Sequence, residues 1–315
     1  MTRRLNLLLL GLLLVVGAPT YWLLIDNRPG DAAAKPVTIT QLRALAASLP
    51  GPAPQRVEME LVGYGRLPGT MMVAGGGLKR DLLGVLAFRL PVAGGQPVVV
   101  DTGLSAAIAD QMGMERFDPT AQARVDAALR EAGLILLTHE HFDHEGGLAT
   151  LGDPAVLAKA LLNPGQLPGN ALTDLMPWPK GVQLKAGIVG SAPRAVAPGV
   201  VVIPAPSHTP GSQMVYVRLS SGREVLFAGD IATMARSWQQ LRARSRLIGN
   251  FVAQEDRAEV FAWLRTIRAF KAAAPGLLVI AGHDYEWIHF QEGHYGIQEH
   301  FSPPAPINLA AGKRP

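Results

Sequence analysis

The longest apolar stretch of the chain comes first. After Arg3 and Arg4, the segment LNLLLLGLLLVVGAPTYWLLI (Leu5 to Ile25) runs 21 residues without a charge. At a helical rise of about 1.5 Å per residue it matches the roughly 30 Å hydrocarbon core of a bilayer. Tyr21 and Trp22 stand near its far end, where amphipathic rings favour the membrane–water boundary. The two arginines place the amino end on the cytoplasmic side and everything after Ile25 outside. The pattern therefore predicts an N-terminal signal anchor, a transmembrane helix, over residues 1–30. A cleaved signal peptide is the alternative, but the one A-x-A-like site, Ala32 to Ala34, lies beyond Asp26, Asn27, Arg28 and Pro29, far from the apolar run.

Residues 31–56 read as a linker. Small residues, Pro and Gly fill Asp26 to Pro36, a short helix follows, and PGPAP (Pro50 to Pro54) closes the region. From Val57 the pattern becomes globular and continues to residue 315. Short apolar runs bounded by turn residues predict strands at Gly84 to Leu90 and Pro97 to Asp101. Val125, Ala128, Leu129 and Ala132 share one face of a helix expected over Thr120 to Gly133, with Thr120 as its N-cap and Gly133 as its C-cap. The apolar strand LILLT (Leu134 to Thr138) comes next and stops where a group of histidines begins. Three more strands follow the same grammar. VVVIP (Val200 to Pro204) precedes APSHTPGS, EVLFAGD ends on Asp230, and LLVIAGHD runs through His283 to Asp284. A helix over Glu255 to Ala272 carries the stripe Val260, Phe261, Leu264, Ile267 and Phe270. The Pro/Gly-rich stretch Leu161 to Gly190 has little periodicity and reads as a long loop, either a wall of a pocket or a plain surface excursion.

Composition narrows the chemistry. Hydrophobic residues make up 48% of the 315 positions and charged residues 17%, enough to build a sizeable core. The net charge of +4 is dispersed, with no basic block interleaved with aromatics, so no nucleic-acid partner is expected. The absence of cysteine removes disulfides, thiolate nucleophiles and cysteine metal sites. A metal in this chain must be held by histidine and carboxylate.

The chain has only 8 histidines, and three of them fall in THEHFDH (Thr138 to His144). His139 and His141, two apart on extended backbone, can point the same way, while Asp143 and His144 turn toward a neighbouring position. His208, Asp230 and His283 lie at three further strand ends. Metal-capable groups on loops at one end of a rigid scaffold are how layered folds build sites. Glu140 and Phe142, which alternate with these residues, are expected to point away from the metal, Phe142 into packing. His289, His294 and His300 read as surface positions of a carboxy-terminal segment. Tyr285 and Trp287 fit either a pocket lining or core packing.

Taken together, VVVDTG, THEHFDHEGG, SHTPGS, FAGD and AGHD resemble the metallo-β-lactamase-fold hydrolases over roughly Val57 to Phe301. The resemblance implies an α/β, four-layer αββα sandwich of two mixed β-sheets. It implies that His139, His141 and His208 hold one divalent metal ion, that Asp143, His144 and His283 hold a second, and that Asp230 bridges both. Asp101 would brace the histidine loop, since outer partners fix ligand orientation. Zinc is the expected metal, with iron or manganese compatible with the same ligands. The chemistry expected is attack on a carbonyl by a water whose pKa two cations about 3.5–4 Å apart lower from 15.7 to about 7. Asp143 is then placed to take a proton as the tetrahedral intermediate collapses.

Small-molecule substrates divide the family. A type II glyoxalase, a thioester hydrolase, carries an extra helical domain after the last ligand, and only 32 residues (315 − 283) follow His283 here. β-Lactamases usually lack the bridging aspartate that FAGD supplies. Lactonases match the ligand set but typically place a tyrosine three positions beyond that aspartate, where this chain has Thr233. Lactone or ester hydrolysis ranks first, β-lactamase-type lactam hydrolysis second and thioester hydrolysis third. A mononuclear iron site with sulfur dioxygenase-like chemistry is the alternative of another class. The expected location is membrane-anchored on the periplasmic side.

Overall fold

A computed structural model describes residues 2–291 and 296–302. The apolar leader forms one helix, Arg3–Leu24, with a mean hydropathy of 2.2 and none of that span buried. Its length and composition suit either a membrane anchor or a signal sequence. Leu13–Gly17 take a π-helical path just ahead of Pro19, whose ring nitrogen has no hydrogen to give the preceding turn.

Two mixed sheets follow. The first is ordered β11–β1–β2–β3–β5, from Val57–Pro68 (β1), Arg80–Leu90 (β2), Val98–Val100 (β3), Leu134–Leu136 (β5) and Ile297–Glu299 (β11). The two-residue strand Arg116–Phe117 (β4) pairs separately with β1. The β1–β11 and β3–β5 pairs are parallel, the rest antiparallel. The second sheet is ordered β10–β9–β8–β7–β6, from Arg194–Ala197 (β6), Val200–Pro204 (β7), Gln213–Arg218 (β8), Glu224–Phe227 (β9) and Leu278–Ile280 (β10). Only β9–β10 is parallel there.

Why the strands read as unbroken apolar runs follows from burial on both faces. Successive side chains point to opposite sides. Val98 and Val100 join the core between the sheets, whereas Val99 faces the outer helices. Val200 and Val202 likewise point inward, while Val201 and Ile203 point out. Phe88 and Phe227 meet across the inner core with ring centroids 4.9 Å apart. Outside the first sheet, helix Pro119–Glu131 buries Val125, Ala128 and Leu129. Outside the second, helix Arg257–Ala273 buries the whole predicted stripe, Val260, Phe261, Leu264, Ile267 and Phe270. The architecture is the expected αββα sandwich.

Local departures have plain causes. Asp118, not Thr120, caps the Pro119–Glu131 helix, accepting from the Thr120 and Ala121 amides at 2.8 and 3.1 Å. A proline at the first helical position needs no donor, so the carboxylate before it is the better cap. Ala132 ends that helix, and Gly133 already bonds to Pro97 O on the way into β5. The helix expected from Glu255 starts at Arg257, because Asp256 caps it and Glu255 is drawn elsewhere. Within the stretch read as a linker, helix Ile39–Ala46 buries Ile39, Leu42 and Ala46 against the second sheet. Asp26 is buried as well, paired with Arg28 and Arg246. The carboxy-terminal segment forms a short helix, Tyr285–His289, and the edge strand β11. Tyr285 and Trp287 pack against the core.

Candidate metal centre

Asp101, His139, His141, Asp230 and His283 follow closely on strand ends, His208 follows β7, and Asp143 and His144 sit at the start of helix Phe142–Leu151. β3 ends at Val100, β5 at Leu136, β9 at Phe227 and β10 at Ile280. The sharpest turn is at Asp101, whose φ of 58° is left-handed, a conformation that aspartate tolerates better than most side chains. This bend sends its carboxylate to the Thr138 amide at 2.7 Å, the Thr138 hydroxyl at 2.9 Å and His144 Nδ1 at 2.9 Å. Asp101 thereby holds the histidine loop at both ends.

Every candidate imidazole in the centre except His141 is tied from outside through Nδ1. His139 Nδ1 lies 3.2 Å from Thr138 Oγ1, His208 Nδ1 lies 2.6 Å from Glu255 Oε1, and His283 Nδ1 lies 2.8 Å from Gly84 O. With the proton on Nδ1, a neutral ring such as His139 or His208 presents the Nε2 lone pair inward. There His139 Nε2 and His208 Nε2 stand 2.9 and 3.0 Å from Nδ1 of His141. His144 Nε2 and Asp230 Oδ1 are buried with no hydrogen-bond partner. Lone pairs crowded on one point and buried polar atoms left without partners are costly, and a bound cation would satisfy them. The donor set therefore fits divalent metal. Two groups could hold it: His139, His141, His208 and Asp230, and Asp143, His144 and His283, each with candidate ligand atoms within 4.8 Å of one another. Asp230 touches both, its carboxylate lying 3.5 Å from His208 Nε2 and 3.0 Å from His283 Nε2.

A family model described as the metallo-beta-lactamase superfamily matches residues 88–283. The chain belongs to the metallo-β-lactamase superfamily. The superfamily fold is also found in solved structures of low sequence identity. An N-acyl homoserine lactone lactonase described as quorum-quenching is 15% identical, with a TM-score of 0.57, covering 78% of this chain and 97% of its own. An N-acyl homoserine lactone hydrolase with product at its metal centre is 15% identical at a TM-score of 0.57, covering 76% and 96%. A probable metal-dependent hydrolase from Staphylococcus aureus is 16% identical at 0.55, covering 75% and 91%. No curated protein matches the chain. The protein is an enzyme of this superfamily, and its buried His/Asp groups support metal-dependent hydrolysis.

Electrostatics divide this superfamily site in two. Burial drives His139, His141 and His208 toward the neutral form, His141 down to about 3, and neighbouring cationic groups add to the effect. Neutral imidazole is the form that ligates. In the other half burial again opposes charge on His144, but Asp101 and Asp143 outweigh it and lift the ring to about 10. Burial alone would raise Asp230, yet His283 and Arg244 hold it well below the ordinary carboxylate range. This half is rich in fixed negative charge, which a cation would balance.

A cavity of about 320 Å³ opens over the site. His141, Asp143 and Asp230 face into it, and Met72, Leu83 and Ile248 are among its apolar walls. Leu172, from the long loop, also lines it. Glu140 points away as expected, accepting from Thr209 Oγ1 at 2.7 Å and the Gly211 amide at 2.9 Å. Phe142 both lines the cavity and packs against the outer core. Thr233 is buried, its hydroxyl 3.5 Å from Asp230 O, and does not line the cavity. His289 pairs with Glu299 and His300 with Glu60. His294 lies outside the described residues.

Sequence reasoning missed Arg244 and Glu255. The Arg244 guanidinium reaches Asp230 Oδ2 at 2.6 Å and Asp230 O at 2.9 Å, and it pairs with Glu255. All three residues are buried. The only signal in the chain was a carboxylate two residues before a helix, which reads as an ordinary start.

Proposed function

We propose that the protein is a dinuclear hydrolase of lactones or related esters. His139, His141 and His208 hold one ion, Asp143, His144 and His283 the other, and Asp230 joins them. Zinc fits this nitrogen and oxygen donor set, as iron and manganese also do. The observation that carries the reading is the position of Asp230, within 4 Å of ligand nitrogens in both groups: His139 at 3.8 Å and His208 at 3.5 Å on one side, His144 at 3.9 Å and His283 at 3.0 Å on the other.

Two bound cations would supply an acidified water and a positive charge for a carbonyl oxygen. The chain's own residues do the rest. Asp101, Thr138, Glu255 and the Gly84 carbonyl orient the imidazoles. Arg244 holds the Asp230 carboxylate in one rotamer. Asp143 faces the cavity with its carboxylate 3.6 Å from His283 Nε2, placed to carry a proton to the leaving oxygen. The apolar cavity excludes water from the reacting carbonyl and favours an acyl substrate over a highly charged one. The lactonase-like solved structures support the same substrate class. The Arg3–Leu24 helix, with Arg3 and Arg4 in its first turn, serves as an uncleaved anchor that holds the catalytic domain on the periplasmic side.

The test is metal analysis of protein purified at neutral pH, followed by assay on lactones, aryl esters, a chromogenic cephalosporin and a glutathione thioester. Two zinc ions per chain with lactone or ester turnover are expected. One iron per chain with no hydrolysis would replace the reading with oxidative chemistry.

A further inference from the structure

The segment that leaves the apolar helix is bonded to the rim of the cavity. Leu24 O accepts from Thr70 Oγ1 at 2.7 Å and from the Gly75 amide at 2.9 Å. Asn27 Nδ2 donates to Leu241 O at 2.7 Å, and its Oδ1 accepts from the Ala243 amide at 3.1 Å. Asp26 pairs with Arg246 at 2.8 Å, and the Arg246 guanidinium stacks over Trp22, 5.5 Å from its ring centre. The pieces that hold the helix base are thus Thr70–Gly75 and Leu241–Arg246. Met71, Met72 and Arg244 of these same pieces line the cavity. Cavity mouth and helix base are neighbours.

The short helix Arg246–Phe251 sits between them and is apolar on two sides. Ile248 and Val252, four apart, line the cavity. Leu247 and Phe251, also four apart, face outward on another side. Phe251 is 61% exposed, Val252 68% and Leu247 37%, and the loop at the helix base adds Leu78 at 82%. Isolated exposed apolar residues need no explanation, but a group of them beside an apolar helix and around a pocket mouth marks an interaction surface. Tyr21 and Trp22, each about half exposed at the end of the helix, set the depth at which the boundary of a bilayer would lie.

We propose that this rim rests in the membrane surface, so that the cavity draws its substrate from the lipid phase. The occupant of the exposed face is the bilayer itself, and the substrate class is an amphiphile: a lactone or ester carbonyl carried on an acyl chain that partitions into lipid. The proposal rests on the anchor and hydrolase readings above. Its physical content is continuity. The Arg3–Leu24 helix fixes the domain's height, Arg246 stacks on Trp22, Leu247 and Phe251 of the same short helix are exposed, and Ile248 and Val252 line the cavity that reaches the ligand cluster.

The chain lacks cysteine, which allows clean single-site labelling of the full-length protein. Phe251→Cys and, as a control, Leu49→Cys at the opposite end of the sandwich would each carry an environment-sensitive NBD fluorophore. Leu49 lies beside Gly133 and Leu134, where β5 begins rather than where it reaches the site. In vesicles of phosphatidylcholine with phosphatidylglycerol, the label at 251 is expected to shift to the blue and to be quenched by nitroxide-bearing lipid. The label at 49 is expected to do neither. Equal, water-like behaviour at both positions overturns the proposal. This measurement needs no turnover, so it is decided separately from the hydrolase reading. Phe251→Glu is then expected to lower kcat/KM about tenfold for a long-chain ester presented in vesicles, as losing about 1.4 kcal/mol of interaction would, while leaving a short, water-soluble ester unaffected. An equal loss on both substrates would mean that residue 251 acts on the site and not on the membrane.

Discussion

Glu255 Oε1 lies 2.6 Å from Nδ1 of His208, across a separation of 47 residues. The same oxygen is paired with Arg244, which also holds Asp230. One buried ion pair therefore orients both a candidate imidazole ligand, His208, and the carboxylate of Asp230. Partners of this kind typically change metal affinity 10–100-fold when removed. Glu255→Gln, which keeps the shape and loses the charge, is expected to weaken metal binding by about that factor. Competition with a chelator measures it, and affinity equal to the parent protein would remove Glu255 from the site.

The ligand assignment separates two variants that look alike on paper. His141→Ala removes a half-buried ring whose near neighbours are other candidate ligands. It should lose metal and activity while keeping its fold. Asp230→Ala should lose both and also melt earlier, because buried Arg244 loses one of its two carboxylates at a cost of about 3 kcal/mol. Unchanged metal content in either variant, read by elemental analysis, would argue against the assignment.

Gly282 has no room for a side chain. A Cβ there would collide with Asp230 Oδ1 and approach the Gly229 backbone at 3.0 Å. Gly282→Ala is expected to push the Asp230 carboxylate out of position and lower kcat/KM on the order of a hundredfold, the usual scale for a misplaced reacting group. Circular dichroism should show the fold intact. Parent-level activity would mean that Asp230 can shift freely.

Acid stability can be tested away from the metal. Burial alone would raise the Glu224 carboxyl, but Arg43 and the Tyr216 hydroxyl hold it below the usual range. A depressed folded-state pKa contributes stability above the unfolded value of about 4.3 and loses it as pH falls through the folded value. The Tm gap between parent and Glu224→Gln should be about 1 kcal/mol in equivalent stability at neutral pH and close below pH 4. A gap that is constant with pH would show that the carboxylate's charge is not what matters.

Truncation should respect the helix base. Removing residues 1–20 spares Leu24, Asp26 and Asn27, and a soluble domain with near-parental Tm is expected. Removing 1–30 strips the carboxylate from Arg246 and the caps from Leu241 and Ala243. The longer truncation should melt several degrees lower by differential scanning fluorimetry. Identical melting of the two would mean that these contacts contribute nothing.

Much of the sandwich was legible because its strands are buried on both faces, so runs such as VVVIP are apolar throughout and stand out against turn residues. The candidate ligands were legible for a different reason. Metal chemistry admits few residue types, and His139, His141, Asp143 and His144 must come from one short loop to reach two neighbouring positions. Helix starts were less legible. Thr120 looks like a cap until the proline at 119 makes Asp118 the better one, and Glu255 looks like a helix residue until His208 claims it.

Local requirements are written in the order of residues: an apolar helix at the start, continuous apolar strands, and ligand types at or soon after strand ends. The pairing of Glu255 with His208, the Arg244 clamp on Asp230 and the docking of Leu24 to Asn27 at the cavity rim were decided only by tertiary structure. Each joins separate elements of the fold, and the buried charge pairs become strong only where burial removes competing water. No local pattern encodes which charges will share a dry space; the packing of the two sheets chooses them.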